Sequence, residues 1–481
     1  MRKLIYTGVL KLQRIGYNKK DDVISEGNMD WLKDREFLKT MMRIGIPVMI
    51  QNLIQTSLNM VDTVMIGQVG KEAIAAVGLA NQVFFVMILL IFGINSGASV
   101  FIAQFWGKRD VANIKRTMGV ALAFGIAVTG LFMLAAVVTP TQIMGFLSDD
   151  NPEIIRLGSD YLRIVGWSYI FTAVSFSFAV AARSIEQAKM PTVVSAISLV
   201  VNTVLNYGLI FGKLGMPELG VKGAAIATLI ARLIEFVVIL TVIYKTDHVL
   251  AARPRELMAF SKSYMLKILD KASPVVANET LWAIGTVLYN VAVARIGAEA
   301  IAGYQVANSL FRFYEVIFMG MAAACQVMIG NRIGAGEETL ARQYASHFLK
   351  LSQTGSLLIA LFMVLTAGSI LKLFGLEPAL TQTTTYLMYL YAAFTFFKTF
   401  NLMMIVGVLR GGGDTKYALY VEVAAVWLFG VPLAFAGAVW LQAGVVITVA
   451  MLMSEEIVKS VLTYRRYLSQ KWLNNVIHEL H

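Results

Sequence analysis

The segment from Pro47 to Gly107 recurs without a gap as Pro274 to Gly334, at a constant offset of 227 residues (274 less 47). Pro47-Val48 matches Pro274-Val275, and Gly70-x-Glu-Ala-Ile-Ala matches Gly297-x-Glu-Ala-Ile-Ala. Ala80-Asn81-x-x-Phe84 matches Ala307-Asn308-x-x-Phe311, and the Gly93/Gly320 and Gly107/Gly334 pairs close the alignment. The same offset places Arg183 on Arg410 and Lys189 on Lys416, so the duplication covers most of each half. A chain built this way folds as two copies of one unit, and its function sits between or within them.

Hydrophobic residues make up 57% of the chain and charged ones 15%, far from the roughly 45–50% and 25% of a soluble domain. This is the composition of an integral membrane protein. Crossing a bilayer takes about 20 apolar residues. Such runs are expected near 43–66, 74–104, 117–139, 157–182, 191–211 and 220–244, and again near 268–294, 300–330, 341–370, 384–409, 417–439 and 443–464. The expected fold is therefore all-α, with twelve transmembrane helices in two six-helix lobes. Six is even, so the lobes enter the membrane with the same orientation, as parallel repeats about an axis along the membrane normal.

Domain boundaries follow. Residues 1–40 form a polar, basic amino-terminal arm, 41–245 the amino lobe, 246–265 a linker, 266–466 the carboxy lobe and 467–481 a tail. The arm has no apolar core with a small-residue cleavage site, and reads as a retained segment. Lys33, Arg35, Lys39 and Arg43 precede the first span; Lys108, Arg109, Lys115 and Arg116 follow the second; and the central loop carries Lys245, Arg253, Arg255, Lys262, Lys267 and Lys271. Alternate loops continue the bias, while Asp149-Asp150-Asn-Pro-Glu153 is acidic. The positive-inside rule then puts both termini and the linker in the cytoplasm, with the chain as a multi-pass protein of the inner (plasma) membrane. The net charge of +11 is accounted for by this topology and by anionic lipid, without nucleic acid. One cysteine, Cys325, excludes an intrachain disulfide.

There is no G-x-x-x-x-G-K-[ST], H-E-x-x-H or G-x-S-x-G, and Gly411-Gly412-Gly413-Asp414-Thr415-Lys416 has the wrong order for a phosphate cradle. The four histidines, His248, His347, His478 and His481, fall in loops, at a span end or in the tail. An ATP-driven pump, a metal site and a hydrolase are disfavoured, no cofactor is expected, and the chain is not read as an enzyme. A membrane-embedded glycosyl or acyl transferase would need clustered acids or histidines in an outer loop, and these loops are short.

Ionisable groups at membrane depth cost about 2.5–3.5 kcal/mol each and are functional candidates by default. Asp62, fifteen residues after Pro47 and so about 22 Å along the first helix, faces Tyr289 across the repeat. Glu279 faces Asn52, and Asn278 faces Gln51. Asn202 and Asn206 lie four apart on one helical face, with Thr228 in the next span. Arg312 and Glu315, three apart, and Arg232 and Glu235, at the same spacing, are expected as structural ion pairs. Lys398 is either an internal counter-charge or a snorkelling side chain.

The run Val61-Asp62-Thr63-Val64-Met65-Ile66-Gly67, continuing through Gly70 to Gly78, resembles the first-helix signature of the multidrug and toxic compound extrusion (MATE) family. Gln104…Gly107, Asn202…Asn206, Gly220-Val-Lys-Gly223-Ala-Ala-Ile-Ala-Thr228, Asn331-Arg-Ile-Gly334-Ala and Leu409-Arg410-Gly-Gly-Gly-Asp414 extend the likeness over about residues 40 to 465, in the NorM/DinF-like bacterial type. The resemblance implies an antiporter that exports amphipathic, often cationic, drugs or metabolites by rocking between two lobes, coupled to protons or sodium. It implies ion coupling at Asp62, Asn202, Asn206, Thr228 and Glu279, with sodium near Asp62 as the one metal ion in view. A substrate cavity would be lined by Gln51, Asn59, Asn278, Tyr289, Glu315 and Lys398. Asn206 stands where some members have an aspartate, and Phe396-Phe397-Lys398-Thr399-Phe400-Asn401 lacks the tenth-helix aspartate of the NorM-like branch; both departures favour protons. Drug-like small molecules and lipid are the expected partners, and the expected state is a monomer. A lipid-linked precursor flippase, kept open by Lys398 and Arg312, is the alternative.

Overall fold

The computed structural model describes residues 34–148, 151–246, 248–372 and 377–478, without the side chains of Asn59 and Ala379. The amino-terminal arm through Lys33 and the acidic pair Asp149-Asp150 lie outside the described residues. The chain divides into Met1–Leu38 and Lys39–His481. In the first unit Asp34 Oδ1 accepts the Phe37 amide at 2.9 Å, which opens the first helix.

Every regular element among the described residues is helical. The amino lobe comprises α1 (Arg35–Gly67), α2 (Lys71–Lys108), α3 (Val111–Val138), α4 (Pro140–Leu147), α5 (Pro152–Val165), α6 (Ser168–Ser184), α7 (Lys189–Phe211) and α8 (Gly220–Lys245). A short α9 (Pro254–Leu257) lies in the connection. The carboxy lobe comprises α10 (Lys262–Ala294), α11 (Ala298–Gly334), α12 (Glu338–Lys372), α13 (Pro378–Leu402), α14 (Thr415–Ala425), α15 (Val431–Phe435), α16 (Gly444–Met453) and α17 (Glu455–Leu468). Pro47 and Pro274 do not open the first helix of each lobe; they sit inside α1 and α10.

The two lobes carry six spans each, and twelve result. Eight helices among the described residues are long and apolar enough to cross a membrane by themselves, and α5 with α6, bent by 51°, makes a ninth. The other three are long enough but more polar or broken. Gln51, Asn52 and Asp62 interrupt α1; Asp270, Lys271 and Glu279 interrupt α10; and α16 and α17 meet at Ser454.

Local sequence explains the punctuation. Gly70 and Gly297 precede α2 and α11 with φ of 153° and 147°, a conformation that a Cβ disfavours, and the repeat conserves it. Asp110 caps α3 by accepting the Asn113 amide at 3.1 Å, Asn151 caps α5, and Ser261 caps α10 through the Tyr264 amide at 3.1 Å. The repeat is imperfect near its end. Gly220 (φ 53°) and Gly444 (φ 73°) open the sixth span of each half and are 224 apart (444 less 220), because the preceding loop is shorter in the second half. Three π-helical stretches, Met403–Leu409, Val426–Gly430 and Ala436–Trp440, occur in the carboxy lobe.

The lobes meet at their basic end, through contacts that obey the repeat. A Cβ on Gly107 would lie 1.9 Å from the carbonyl oxygen of Asn331, and one on Gly334 would lie 1.9 Å from that of Gln104. Gln104 and Asn331 are themselves repeat partners, so α2 and α11 cross reciprocally. Gly93 packs on Val276 as Gly320 packs on Gly45 and Met49. Gln326 Nε2 donates to Ser99 Oγ at 2.9 Å, and these two residues, 227 apart, mark the pseudo-two-fold axis. Small residues let the backbones approach where lipid supplies no hydrophobic drive.

The residues after Leu468, expected as a tail, fold back across this junction. Trp472, Val476 and Ile477 are each 1% exposed, and the last two pack with Val100, Ile114, Ile185 and Ile268. The Gln104 side chain donates to Asn474 O at 2.9 Å and accepts the Val476 amide at 2.9 Å. Asn474 N donates to Gly412 O at 2.8 Å, and Gly412 and Gly413 leave no room for a Cβ beneath Trp472 and Val476.

Candidate functional site

Asp62 of α1 meets α7 inside the amino lobe. Asn206 Nδ2 donates to Asp62 Oδ1 and, at 3.1 Å, to Asn202 Oδ1; Asn202 Nδ2 reaches Thr228 Oγ1 of α8 at 3.5 Å. The four-residue spacing points both amides at α1, and both are 1% exposed. Asp62 is half-buried. Asn206 Oδ1 is buried without a donor, an acceptor left over beside a carboxylate. That arrangement suits an added O–H or a monovalent cation. The four amino-lobe residues expected to couple ions are thus in one place.

A second polar chain lies nearer the basic end. Gln51 Nε2 donates to Ser195 Oγ at 3.1 Å, which donates to Glu235 Oε1 at 3.1 Å, and Arg232 pairs with Glu235 at 2.8 Å. The expected Arg232–Glu235 pair therefore exists and ties α1, α7 and α8 together.

Glu279 is apart from Asp62 and pairs with Arg410 at 2.6 Å, while Arg410 also donates to Asn278 Oδ1 at 2.9 Å. Arg410 is 2% exposed and its Nη1 has no acceptor. In this geometry Glu279 is the counter-ion of a buried guanidinium.

Tyr289, at the repeat position of Asp62, donates to Glu455 Oε2. Glu455 belongs to a buried network that sequence reasoning passed over. Lys459 Nζ lies 2.8 Å from Glu422 and 3.1 Å from Glu455, and Lys398 Nζ lies 3.5 Å from Glu456. Asn401 Nδ2 donates to Glu456 Oε2 at 2.8 Å. The available signal was Glu455-Glu456-x-x-Lys459 inside the twelfth expected span, with Glu422 inside the eleventh.

Lys398 is an internal counter-charge, stacked 5.2 Å from the Phe311 ring centroid. It clusters with Glu315, Tyr314, Phe318 and Thr395. The expected Arg312–Glu315 pair does not form: Arg312 is exposed, whereas Glu315 lies in the cluster with Lys398. Spacing of three permits contact on a helix but does not impose it. The side chain of Asn59 lies outside the described residues. No group of three or more His, Cys, Asp or Glu among the described residues could hold a metal ion.

The MatE family matches residues 47–208 and 274–436, one match per repeat. The probable multidrug resistance protein NorM of Thermotoga maritima is 25% identical over 445 residues, covering 91% of this chain and 93% of that protein. The uncharacterized transporter YisQ of Bacillus subtilis is 24% identical, over 89% of this chain and 93% of its own. Among solved structures, a MATE in complex with MaL6 superposes with a TM-score of 0.82 at 20% identity, over 93% of this chain and all of that one. An outward-facing multidrug resistance MATE family transporter gives 0.79 at 21%, over 94% of this chain and 100% of its own. With both of its repeats matched, the chain belongs to the MatE family of membrane transporters.

Proposed function

We propose that this chain is a proton-coupled antiporter of the inner membrane, with both termini cytoplasmic, exporting amphipathic cationic compounds by alternating access between its lobes. The observation that carries the reading is Asp62, a carboxylate held by buried amides within one lobe of a molecule whose lobes are pressed together at the basic end. The positive-inside rule makes that end cytoplasmic, so this geometry is closed toward the cytoplasm.

A proton and a cationic drug compete for Asp62. Desolvation favours the neutral acid, and a nearby cation favours the carboxylate. Each occupied form then need only prefer a different lobe arrangement. Exchange of one proton for one monovalent cation moves no net charge, so the pH gradient drives it, each tenfold difference in proton concentration supplying about 1.4 kcal/mol. Asn206, in place of an aspartate, leaves a single carboxylate among these four residues, which suits a proton better than sodium. Among the relatives, the names of the Thermotoga maritima NorM and of Photorhabdus laumondii MdtK, a multidrug resistance protein, support drug-like substrates. The flippase alternative drew on a cationic cavity carrying Lys398 and Arg312; Lys398 is partnered by Glu456 and Arg312 is exposed. We further propose a monomer without cofactor, with lobes at 41–245 and 266–466.

The test is ethidium efflux from proteoliposomes under an imposed pH gradient or an imposed sodium gradient. The pH gradient should drive efflux and Asp62→Asn should abolish it with the protein still monodisperse. Efflux that follows sodium alone, or survives Asp62→Asn, refutes the proposal.

A further inference from the structure

The carboxy lobe holds a buried ionic network at the place where the amino lobe holds its chain of Ser195, Glu235 and Arg232. The fifth spans align at an offset of 227, which sets Glu422 on Ser195; the sixth align at 224 through Gly220 and Gly444, which sets Lys459 on Glu235 and Glu456 on Arg232. The contacts obey this superposition, since Ser195 bonds to Glu235 and Glu422 bonds to Lys459. The same two spans are joined at the same level with the charges inverted. Tyr289 completes the correspondence, being the repeat partner of Asp62 and the hydrogen-bond donor to Glu455. Where the first helix of the amino lobe supplies a carboxylate, the first helix of the carboxy lobe supplies a phenol that holds a carboxylate from the last.

The charges within this network do not balance. Glu422, Glu455 and Glu456 are 6%, 5% and 8% exposed, and two ammonium groups, Lys398 and Lys459, face them. Glu456 has Lys398 and Asn401; Glu422 and Glu455 share the single ammonium of Lys459. The groups around Glu455 are Glu456 and Lys459 on its own helix, Glu422 from α14, Tyr289 from α10, Lys398 from α13 and Tyr304 from α11. Glu315 and Arg312, both from α11, add one carboxylate and one cation around Tyr391 and leave the imbalance as it is. A surplus buried carboxylate requires a monovalent cation, and a proton needs no additional ligands. A π-helical turn, Val426–Gly430, brings backbone against the pair: a Cβ on Gly430 would lie 2.0 Å from the Tyr289 hydroxyl and 2.2 Å from Glu455 Oε2. Such turns recur at functional sites.

We propose that Glu455 takes up and releases a proton during transport, as a second coupling site in the carboxy lobe. The proposal rests on the antiport reading above and deepens it. One proton is carried on the Asp62 carboxyl and one on that of Glu455; both are taken up from outside and released inside. Two protons inward against one monovalent cation outward move one net positive charge inward per cycle.

The experiment is proton release from the purified full-length protein in detergent, read with a pH-indicator dye as saturating ethidium is added. The wild type should release two protons per ethidium bound, Glu455→Gln one, and Asp62→Asn one. Release by Glu455→Gln equal to that of the wild type overturns the proposal. If Asp62→Asn releases as many as the wild type while Glu455→Gln halves the count, the Asp62 reading fails and this one stands. A measurement on the unaltered protein guards against misfolding of the variant. Dicyclohexylcarbodiimide, which traps protonated carboxyl groups in apolar surroundings, should modify Glu455, as located by peptide mass spectrometry, and ethidium should protect it. Labelling at Asp62 with none at Glu455 overturns the proposal.

Discussion

Replacing Gly334 by alanine should hold the basic end of the molecule open. The added Cβ would stand 1.9 Å from the carbonyl oxygen of Gln104 and 2.5 Å from its Cα and carbonyl carbon. Real Cβ contacts essentially never fall below 3.0 Å, so α2 and α11 must separate by at least about 1.1 Å, the difference between that floor and 1.9 Å. The obstacle is backbone on both sides, with no flexible side chain to yield. Overpacking of this kind costs about 1–3 kcal/mol, and each 1.4 kcal/mol is about tenfold in an equilibrium. The closed arrangement should therefore lose roughly five- to hundredfold in population relative to the open one. Spin labels on cysteines placed at the repeat partners Lys189 and Lys416, with the buried Cys325 left in place, would report the distance between lobes at this end. Gly334→Ala should lengthen the main distance or add a longer one. Gly107→Ala should do the same, and the double variant should add little, because either change unlocks one shared crossing. Gly78→Ala, with nothing within 4 Å of its Cβ, is the control. An unchanged distribution in Gly334→Ala would refute the view that this crossing seals the molecule.

Ending the chain at Ser469 removes three side chains that are each 1% exposed; burial of each is worth about 1.5–3 kcal/mol, partly offset by the ordering of the segment. The truncated protein should therefore melt lower in detergent, and an unshifted melting curve would show that the segment contributes nothing. Gln104→Leu removes two hydrogen bonds to that segment, each worth about 1 kcal/mol, and should expose the tail to limited proteolysis with a smaller loss of thermal stability than the truncation; resistance equal to wild type contradicts this. Arg410→Met should be strongly destabilising, by about 3–5 kcal/mol, because it strands Glu279. Adding Glu279→Gln should recover much of that loss, and a double variant no more stable than the single one would exclude the pairing.

The duplication was legible because its signature is glycine, and glycine marks positions where backbone geometry admits nothing larger. Gly70 and Gly297 share an unusual φ, and Gly93, Gly107, Gly320 and Gly334 all prove to be sites of backbone contact. Asn202 and Asn206 were legible as one helical face from their four-residue spacing, and Asp62 as a lone acid in an apolar run, whereas the joining of Asp62 to those amides and to Thr228 came from the family resemblance. The carboxy-lobe network was less so. Its members come from α10, α13, α14 and α17, and no spacing along the chain tells which carboxylate Lys459 will serve. The pairing of Glu279 with Arg410 spans 131 residues and lay hidden for the same reason. Arg312 and Glu315 failed in the opposite direction, since a permissive spacing said nothing of which neighbours would compete for each side chain. The change of offset from 227 to 224 concealed the correspondence of Glu235 with Lys459 until the glycines opening the sixth spans could be matched by conformation.

The packing of Val476 and Ile477 among amino-lobe residues bears on how the molecule is made. Each six-helix lobe can enter the membrane as it is synthesised, but the contacts that Gln104 makes with Asn474 and Val476 must wait until the segment after the twelfth span has been made. Until then an amide in the second helix has no partner in that segment, and an apolar pocket beside Ile114 and Ile185 stands open. Sealing of the two halves therefore follows insertion of every span, and a chain that stops at Ser469 retains all of them while lacking the piece that fastens the halves together.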